Sequence, residues 1–401
     1  MRLIVTLCAF KILSMFAFAT FPTLIPALQS EWDLSNTSVG WISGIYFGGY
    51  IVAVATLTSL TDRIDAKRIY LICMALSAAA AAGFALTAEG LWSASFWRLL
   101  QGVGLAGTYM PGLKVLTDQI PARLQSRGTA FYTSSFGIGV GISYFLSGQV
   151  GDAMGWQWAF SVCALGPLVA FALAVFLLRP QPPPEDNKPA THLLDFRPVI
   201  ANRRALGFTL AYSLHNAELF AYRSWLVAFL VFAQTQQAAG WNPLVSAAAI
   251  AAVLSFIGMP ASVLGNESVT RFGRQRVVIT VMICSAIVGA AVGFLVVAPY
   301  WLLVSVVVIY AIAIAADSAA MTAGVIEVAE TRYKGATMAV HSVIGFVGAA
   351  LGPLLFGMAL DFGGGEKTAH AWGIAFLTMS LLVLLGPLAV IKLVGADEQL
   401  R

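Results

Sequence analysis

The chain has 401 residues, 59% of them hydrophobic and only 10% charged, with a formal net charge of +4. Soluble domains carry about a quarter charged residues, so the composition excludes a water-soluble catalytic domain. The positive charge is spread from loop to loop rather than gathered in a patch, which argues against a nucleic-acid partner.

A membrane helix needs roughly 20 mainly apolar residues to cross about 30 Å of hydrocarbon. Twelve such segments follow one another, at about 4–27, 38–60, 68–88, 92–117, 128–150, 156–178, 205–233, 244–266, 275–297, 299–328, 335–360 and 371–394. The first opens on Met1-Arg2 and an apolar run, as a secretory leader does. Lys11 interrupts that run and no small-residue cleavage site follows, so it reads as the first span. The cysteines, Cys8, Cys73, Cys163 and Cys284, all fall in apolar segments without paired spacing and are expected to be small buried hydrophobes.

With the N-terminus placed inside, the inner loops carry Arg63, Lys67, Arg68, Arg123, Arg127, Arg203, Arg204, Arg271, Arg274 and Arg276, whereas the outer loops hold only Lys367. This positive-inside bias predicts a multi-pass protein of the cell inner (plasma) membrane with both termini in the cytoplasm. After the sixth span, Arg179 to Pro189 is uniquely polar and proline-rich, as a stiff linker is. The expected organisation is a six-helix bundle over 1–178, a cytoplasmic linker over 179–204 and a second six-helix bundle over 205–401.

The two halves repeat. Arg63 and Arg68 recur as Arg271 and Arg276, Arg127-Gly128 as Lys334-Gly335, and Gly148 with Asp152 as Gly357 with Asp361, always about 208 residues on. Constant offsets at matching helix ends indicate a duplicated unit, and six crossings per unit make the copies parallel.

Several motifs resemble those of the major facilitator superfamily. Between spans 2 and 3, Thr58-Ser59-Leu60-Thr61-Asp62-Arg63-Ile64-Asp65-Ala66-Lys67-Arg68 matches the Asp-Arg core and basic end of the family's signature loop, with Thr58 and Asp65 where the family has glycines. The second half keeps Arg271-Phe272-Gly273-Arg274. Arg98-x-x-Gln101-Gly102-x-Gly104 in span 4 and Gly155-Trp156-Gln157-Trp158-Ala159-Phe160 at span 6 are also similar. The resemblance implies an all-α membrane protein of twelve transmembrane helices in two pseudo-symmetric bundles. It further implies a secondary transporter working by alternating access around spans 1, 4, 7 and 10, with Asp62, Arg63, Arg68, Arg271 and Arg274 gating the inner side.

Charges inside the spans are the candidate site. An ionisable group at mid-membrane costs on the order of 2.5–3.5 kcal/mol on insertion scales and is functional by default. Lys11, Arg98, Lys114, His215, Glu218, Arg223, Asp317, Glu327 and His341 qualify. At about 100° per residue, Tyr212, His215, Glu218 and Tyr222 share one polar stripe of span 7. A carboxyl group shut off from water can take up and release a proton, and an adjacent imidazole can relay it. Tyr109 lies about 20° from Arg98 on the helical wheel, with Gln101 on that side. The repeat offset carries Lys11 to Glu218 and Tyr109 to Asp317, so these residues are expected to face one another between the halves. Arg98 as an intrabundle clamp and Lys11 snorkelling to the interface remain open alternatives. Lys114 has Asp118 four residues on and is expected to form a local ion pair, while Glu327 and His341, near the inner ends, fit gating or capping.

The excess of cations, Lys11, Arg98 and Arg223, among these carboxylates predicts proton-coupled movement of a small polar or anionic solute. The expected partners are that solute, protons and the bilayer, with the chain acting as a monomer and no cofactor or metal. Two alternatives remain. A multidrug or metabolite efflux antiporter would carry a proline in its glycine-rich span 5, which here has Gly137, Gly139 and Gly141 but none. The other is a non-transporting receptor of the same fold. A membrane enzyme would need a nucleophile or metal cluster, and His192, His215, His341 and His370 are scattered.

Overall fold

The computed structural model describes residues 1–61, 63–181, 200–239, 241–330 and 333–395. Among them the regular structure is entirely helical, and the fifteen α-helices resolve into twelve crossings. In chain order these are α1 (Arg2–Ser14), α2 (Thr20–Trp32), α3 (Asn36–Leu60), α4 (Ala66–Thr87), α5 (Leu91–Gln119), α6 (Ala122–Met154), α7 (Trp156–Leu177), α8 (Arg203–Thr235), α9 (Ala247–Phe272), α10 (Arg274–Phe294), α11 (Tyr300–Ala315), α12 (Ser318–Val328), α13 (Lys334–Phe362), α14 (Ala369–Val383) and α15 (Leu385–Val394). Eight spans are apolar and long enough to cross a bilayer on composition alone. The others are the α1–α2 span, which the break divides into two helices of 13 residues each, and those of α5, α6 and α8, where polar or small residues dilute the apolar run.

Three spans expected to be continuous are broken. In the first, Pro22 lacks the N–H that an uninterrupted helix would send back to Phe18. The chain instead turns over Met15–Ala19 through short i→i+3 bonds, Met15 N–H to Ile12 O (3.1 Å) and Phe18 N–H to Met15 O (2.9 Å). Backbone groups freed at membrane depth must find partners inside the protein. Here Ser143 on α6 supplies them, accepting from the Ala19 N–H at 2.9 Å and donating to the Phe16 carbonyl. The tenth span breaks between α11 and α12 at Ala316–Asp317, and the twelfth between α14 and α15.

The helices form two compact units. The first comprises Met1–Leu34, Ile45–Ala190 and Val245–Phe256, and the second Ser35–Gly44, Thr191–Leu244 and Ile257–Arg401. In the first, α4 packs along α5 and α7, and Leu7, Phe10, Tyr70, Met74, Leu116 and Tyr132 share a core. In the second, α8 packs along α13 and α10 along α14, around Phe208, Val278, Met282, Met321 and Val325. The α8–α13 approach is backbone to backbone. A Cβ on Gly348 would overlap the Ser213 carbonyl, and one on Gly352 that of Ala217. Helices with no hydrophobic drive to associate in lipid pack through such small residues. Of the cysteines, Cys73 and Cys163 are buried, Cys8 is half-buried, and Cys284 is exposed, contrary to expectation, because it falls on the outward face of α10.

Candidate functional site

In the spans of the first unit, the buried charged side chains among the described residues are two cations, Lys11 (0% exposed) and Arg98 (2%). The remaining buried charge of that unit, Asp65, lies in a loop. Lys11 sits on α1 one turn before the break. Its Nζ lies 4.8 Å from the Tyr109 ring centroid and 5.5 Å from that of Phe136. It has no hydrogen-bond partner among the described residues. From there a file of rings crosses the unit: Phe136 meets Phe18 edge-on at 5.4 Å, and Phe18 meets Tyr46 at the same distance. Arg98 closes the file, its guanidinium 4.3 Å from the Tyr46 centroid and 5.5 Å from that of Phe21. Arg98 Nη1 donates to Gln101 Oε1 at 2.8 Å. Arg98 Nε and Gln101 Nε2 find no partner among the described residues.

The second unit has the opposite charge. Its buried ionisable groups among the described residues include Glu218 and Asp317, each 2% exposed, with His215 and His341, and no buried lysine or arginine. Glu218, on α8, accepts from Ser285 Oγ on α10 at 3.0 Å and from Tyr310 Oη on α11 at 3.1 Å. Three residues earlier on the same helix, His215 Nδ1 stands 2.8 Å from Asp317 Oδ1 at the α11–α12 break. That distance makes an ion pair if the imidazole is charged, although the ring is turned out of hydrogen-bond geometry. Tyr212 is stacked against both His215 (5.8 Å) and His341 (4.3 Å). His341 in turn has its ring nitrogens 3.3 Å from Thr209 Oγ1 and 3.4 Å from Thr322 Oγ1. Tyr222 meets Tyr310 edge-on at 5.5 Å, and Arg223 is half-buried with its guanidinium 5.4 Å from the Phe220 ring.

Each unit thus gathers its own share of the expected residues. Lys11 and Tyr109 touch, as do Arg98 and Gln101, and His215, Glu218 and Asp317 lie together with Tyr222 nearby. Ser285, Tyr310, Phe18, Tyr46 and Phe136 were not singled out from sequence. Tyr310 carried a usable signal, since it precedes Asp317 by about two helical turns. The others are hydroxyls and rings of kinds that recur throughout an apolar chain. His341, expected at a gate or cap, lies buried against Tyr212.

Of the expected gating residues, Asp62 lies outside the described residues, and Arg63, Arg68 and Arg271 are exposed. Arg274 bridges α10 to α12, pairing with Glu327 at 3.0 Å and donating to the Ala320 carbonyl at 2.8 Å. Where the family loop has a glycine, Asp65 caps α4 by accepting from the Lys67 N–H at 2.9 Å. The Lys67 ammonium donates to the Val175 and Leu178 carbonyls at the end of α7. Lys114 pairs with Asp118 at 3.0 Å, as its spacing predicts.

Twelve crossings from two six-span halves, with broken spans beside buried charge, define a polytopic membrane protein of the transporter-fold class. The family profile described as Major Facilitator Superfamily matches residues 7–279 and 266–400. The chain belongs to that superfamily. Similar proteins include the 4-hydroxybenzoate transporter PcaK of Acinetobacter baylyi, 28% identical over 39% of this chain and 34% of that protein. The niacin transporter NiaP of the same organism is 25% identical over 37% of this chain and 34% of that protein. The matched region spans about a third of the length of these curated relatives. Among solved structures, a bacterial homologue of the human lysosomal transporter Spinster superposes with a TM-score of 0.81 at 15% identity, covering 98% of this chain and 97% of the other. The nucleoside transporter NupG superposes at 0.75 and 15% identity, covering 98% and 99%. These two likenesses carry the fold.

Proposed function

We propose that the chain is a secondary transporter that moves a small anionic solute across a cell inner membrane by alternating access, coupled to protons. The observation that supports this best is the separation of buried charge. Among the described residues, Lys11 and Arg98 occupy the first unit without a buried carboxylate in its spans, and Glu218 and Asp317 occupy the second without a buried lysine or arginine. A desolvated cation lacking a partner suits an incoming anion. A desolvated acid held by two hydroxyls suits a proton that comes and goes. The similar transporters named for 4-hydroxybenzoate and niacin handle small organic acids, which favours the same charge type here. The loop charges argue for both termini in the cytoplasm.

In this reading Lys11, with Tyr109, receives the anion, and Arg98 and Gln101 hold a second positive station nearer the outer end of α5. Glu218 carries the coupling proton, with His215 and Asp317 as a neighbouring relay and Tyr222 lining it. Arg223 lies toward the far end of α8, and Arg63, Arg68, Arg271 and Arg274, with Asp62, serve the inner gate. The test is uptake of a panel of radiolabelled anions into proteoliposomes under an imposed pH gradient. Glu218→Gln is expected to abolish driven accumulation while sparing exchange of internal for external solute. Undiminished accumulation by that variant would remove Glu218 from the coupling role.

A further inference from the structure

From the surroundings of Lys11 we infer that the transported anion is an aromatic monocarboxylate, its carboxylate on Lys11 Nζ and its ring against Tyr109 and Phe136. This rests on the anion reading above and adds the chemical class of the substrate.

The ammonium comes first. Nζ is fully buried, has three donors, and meets ring faces but no acceptor among the described residues. Ring faces attract a cation through their quadrupole, yet they cannot accept its hydrogen bonds as an oxygen does. A buried charge without an acceptor is costly, so the missing component is a group with negative charge and lone pairs. A carboxylate supplies both.

The surroundings of the ammonium decide what the carboxylate is attached to. Tyr109 and Phe136 meet at 6.0 Å and 69°, and Phe136 meets Phe18 at 5.4 Å and 72°. Tyr109 and Phe136 each keep part of their surface uncovered, whereas Phe18 is buried. Two inclined, partly uncovered rings suit a third, because aromatic rings prefer edge-to-face and offset contacts.

Three hydroxyls of α6 are already taken. Ser143 serves the backbone of the α1–α2 break, Ser135 Oγ donates to the Phe131 carbonyl at 2.8 Å, and Tyr132 Oη donates to the Thr108 carbonyl at 2.7 Å. A sugar, an amino acid or a nucleoside would bring several polar groups to a single ammonium that faces ring surfaces, and most of them would be left unpaired. A phosphate or sulfate would have the same surplus of oxygens. Arg98 cannot share the load, since it lies eleven residues along α5 from Tyr109, about 16 Å at the helical rise, and is itself stacked on Tyr46. One cation and two rings select one carboxylate and one ring.

The test uses the purified full chain in detergent and benzoate, cyclohexanecarboxylate and benzamide as probes, with ligand-induced thermal shift as the readout. Benzoate is expected to reach half-saturation at a concentration about 2- to 10-fold below that for cyclohexanecarboxylate, the span expected of one ring–ring contact. Benzamide, lacking the charge, should give no shift. Phe136→Leu should bring the ratio of the two acids toward one, and Lys11→Gln should abolish the benzoate shift. Equal or better binding of cyclohexanecarboxylate, or a benzoate shift retained in Lys11→Gln, overturns the assignment. Proton-driven uptake of anions without ring preference would also sink it and leave the transport reading standing. Ring-selective, Lys11-dependent binding without driven uptake would do the reverse.

Discussion

Asp361 holds Asn36 twice, its Oδ1 accepting from the backbone N–H at 3.1 Å and from Nδ2 at 2.8 Å, across 325 residues of sequence. Its Oδ2 accepts from the Thr37 N–H at 2.8 Å and from Thr37 Oγ1 at 2.6 Å. The first N–H groups of a helix have no partner within it, so Asp361 at the end of α13 acts as the N-cap of α3 from another helix. Asp361→Ala should therefore cost about 0.5–2 kcal/mol, the usual value of an N-cap. The repeat counterpart, Asp152, is exposed, and 208 residues on from Asn36 and Thr37 stand Leu244 and Val245, which lack their side-chain donors. Asp152→Ala should leave the thermal midpoint unchanged in detergent. Equal shifts for the two variants would refute the capping role.

The His215–Asp317 contact gives a second expectation. Removing one member of a buried pair leaves an uncompensated charge, at about 3–5 kcal/mol. Asp317→Ala and His215→Ala should each lower stability by that order, and the double variant by clearly less than their sum. A double-mutant cycle from denaturation in mixed micelles measures the difference. Strict additivity would mean that the two side chains are neighbours without an interaction.

Surface and semi-buried ion pairs should separate. Lys114→Ala removes an exposed i,i+4 pair with Asp118 and should cost less than about 0.5 kcal/mol. Arg274→Ala removes both the Glu327 pair and the donor to the Ala320 carbonyl. It should be the more damaging by about 1 kcal/mol, the net value of a typical hydrogen bond. Glu327→Ala, which spares the carbonyl bond, should resemble Lys114→Ala. Midpoints for the three variants, taken in one detergent, decide it.

The α8–α13 contact leaves no room for a side chain. Gly352→Ala should destabilise by about 1–3 kcal/mol, the range for overpacking, and Gly352→Leu should fail to give a monodisperse species on size exclusion. A well-behaved leucine variant would show that the backbones can separate there.

The crossings and the repeat were legible in the sequence because hydrocarbon tolerates little besides long apolar helices, and because Arg63, Arg68 and their counterparts mark helix ends. Lys11, Glu218 and Asp317 were legible for the complementary reason, as charge where lipid forbids it. The break over Met15–Ala19 was not, since it depends on Ser143 presented by a helix more than a hundred residues away, with Pro22 the one local hint. Nor were the Glu218 donors, because Ser285 and Tyr310 look like dozens of other hydroxyls until α10 and α11 bring them to the carboxylate. The ring file from Lys11 to Arg98 escaped for a related reason. Aromatic residues are common in membrane helices, and only the packing of α1, α3, α5 and α6 shows which of them meet a cation.

At Gly348 and Gly352 the peptide planes of α13 rest directly on those of Ser213 and Ala217, with no cushion of side chains that could shear. His215 lies between those two footholds, and Glu218 is one residue past the second. Any displacement of the acidic stripe is therefore handed to α13 as to the other rail of a ladder. Asp361 lies nine residues farther along that rail than Gly352, about 14 Å at the helical rise. The path from the acids to the clasp on Asn36 runs through Pro353, where α13 lacks a backbone hydrogen bond and can flex.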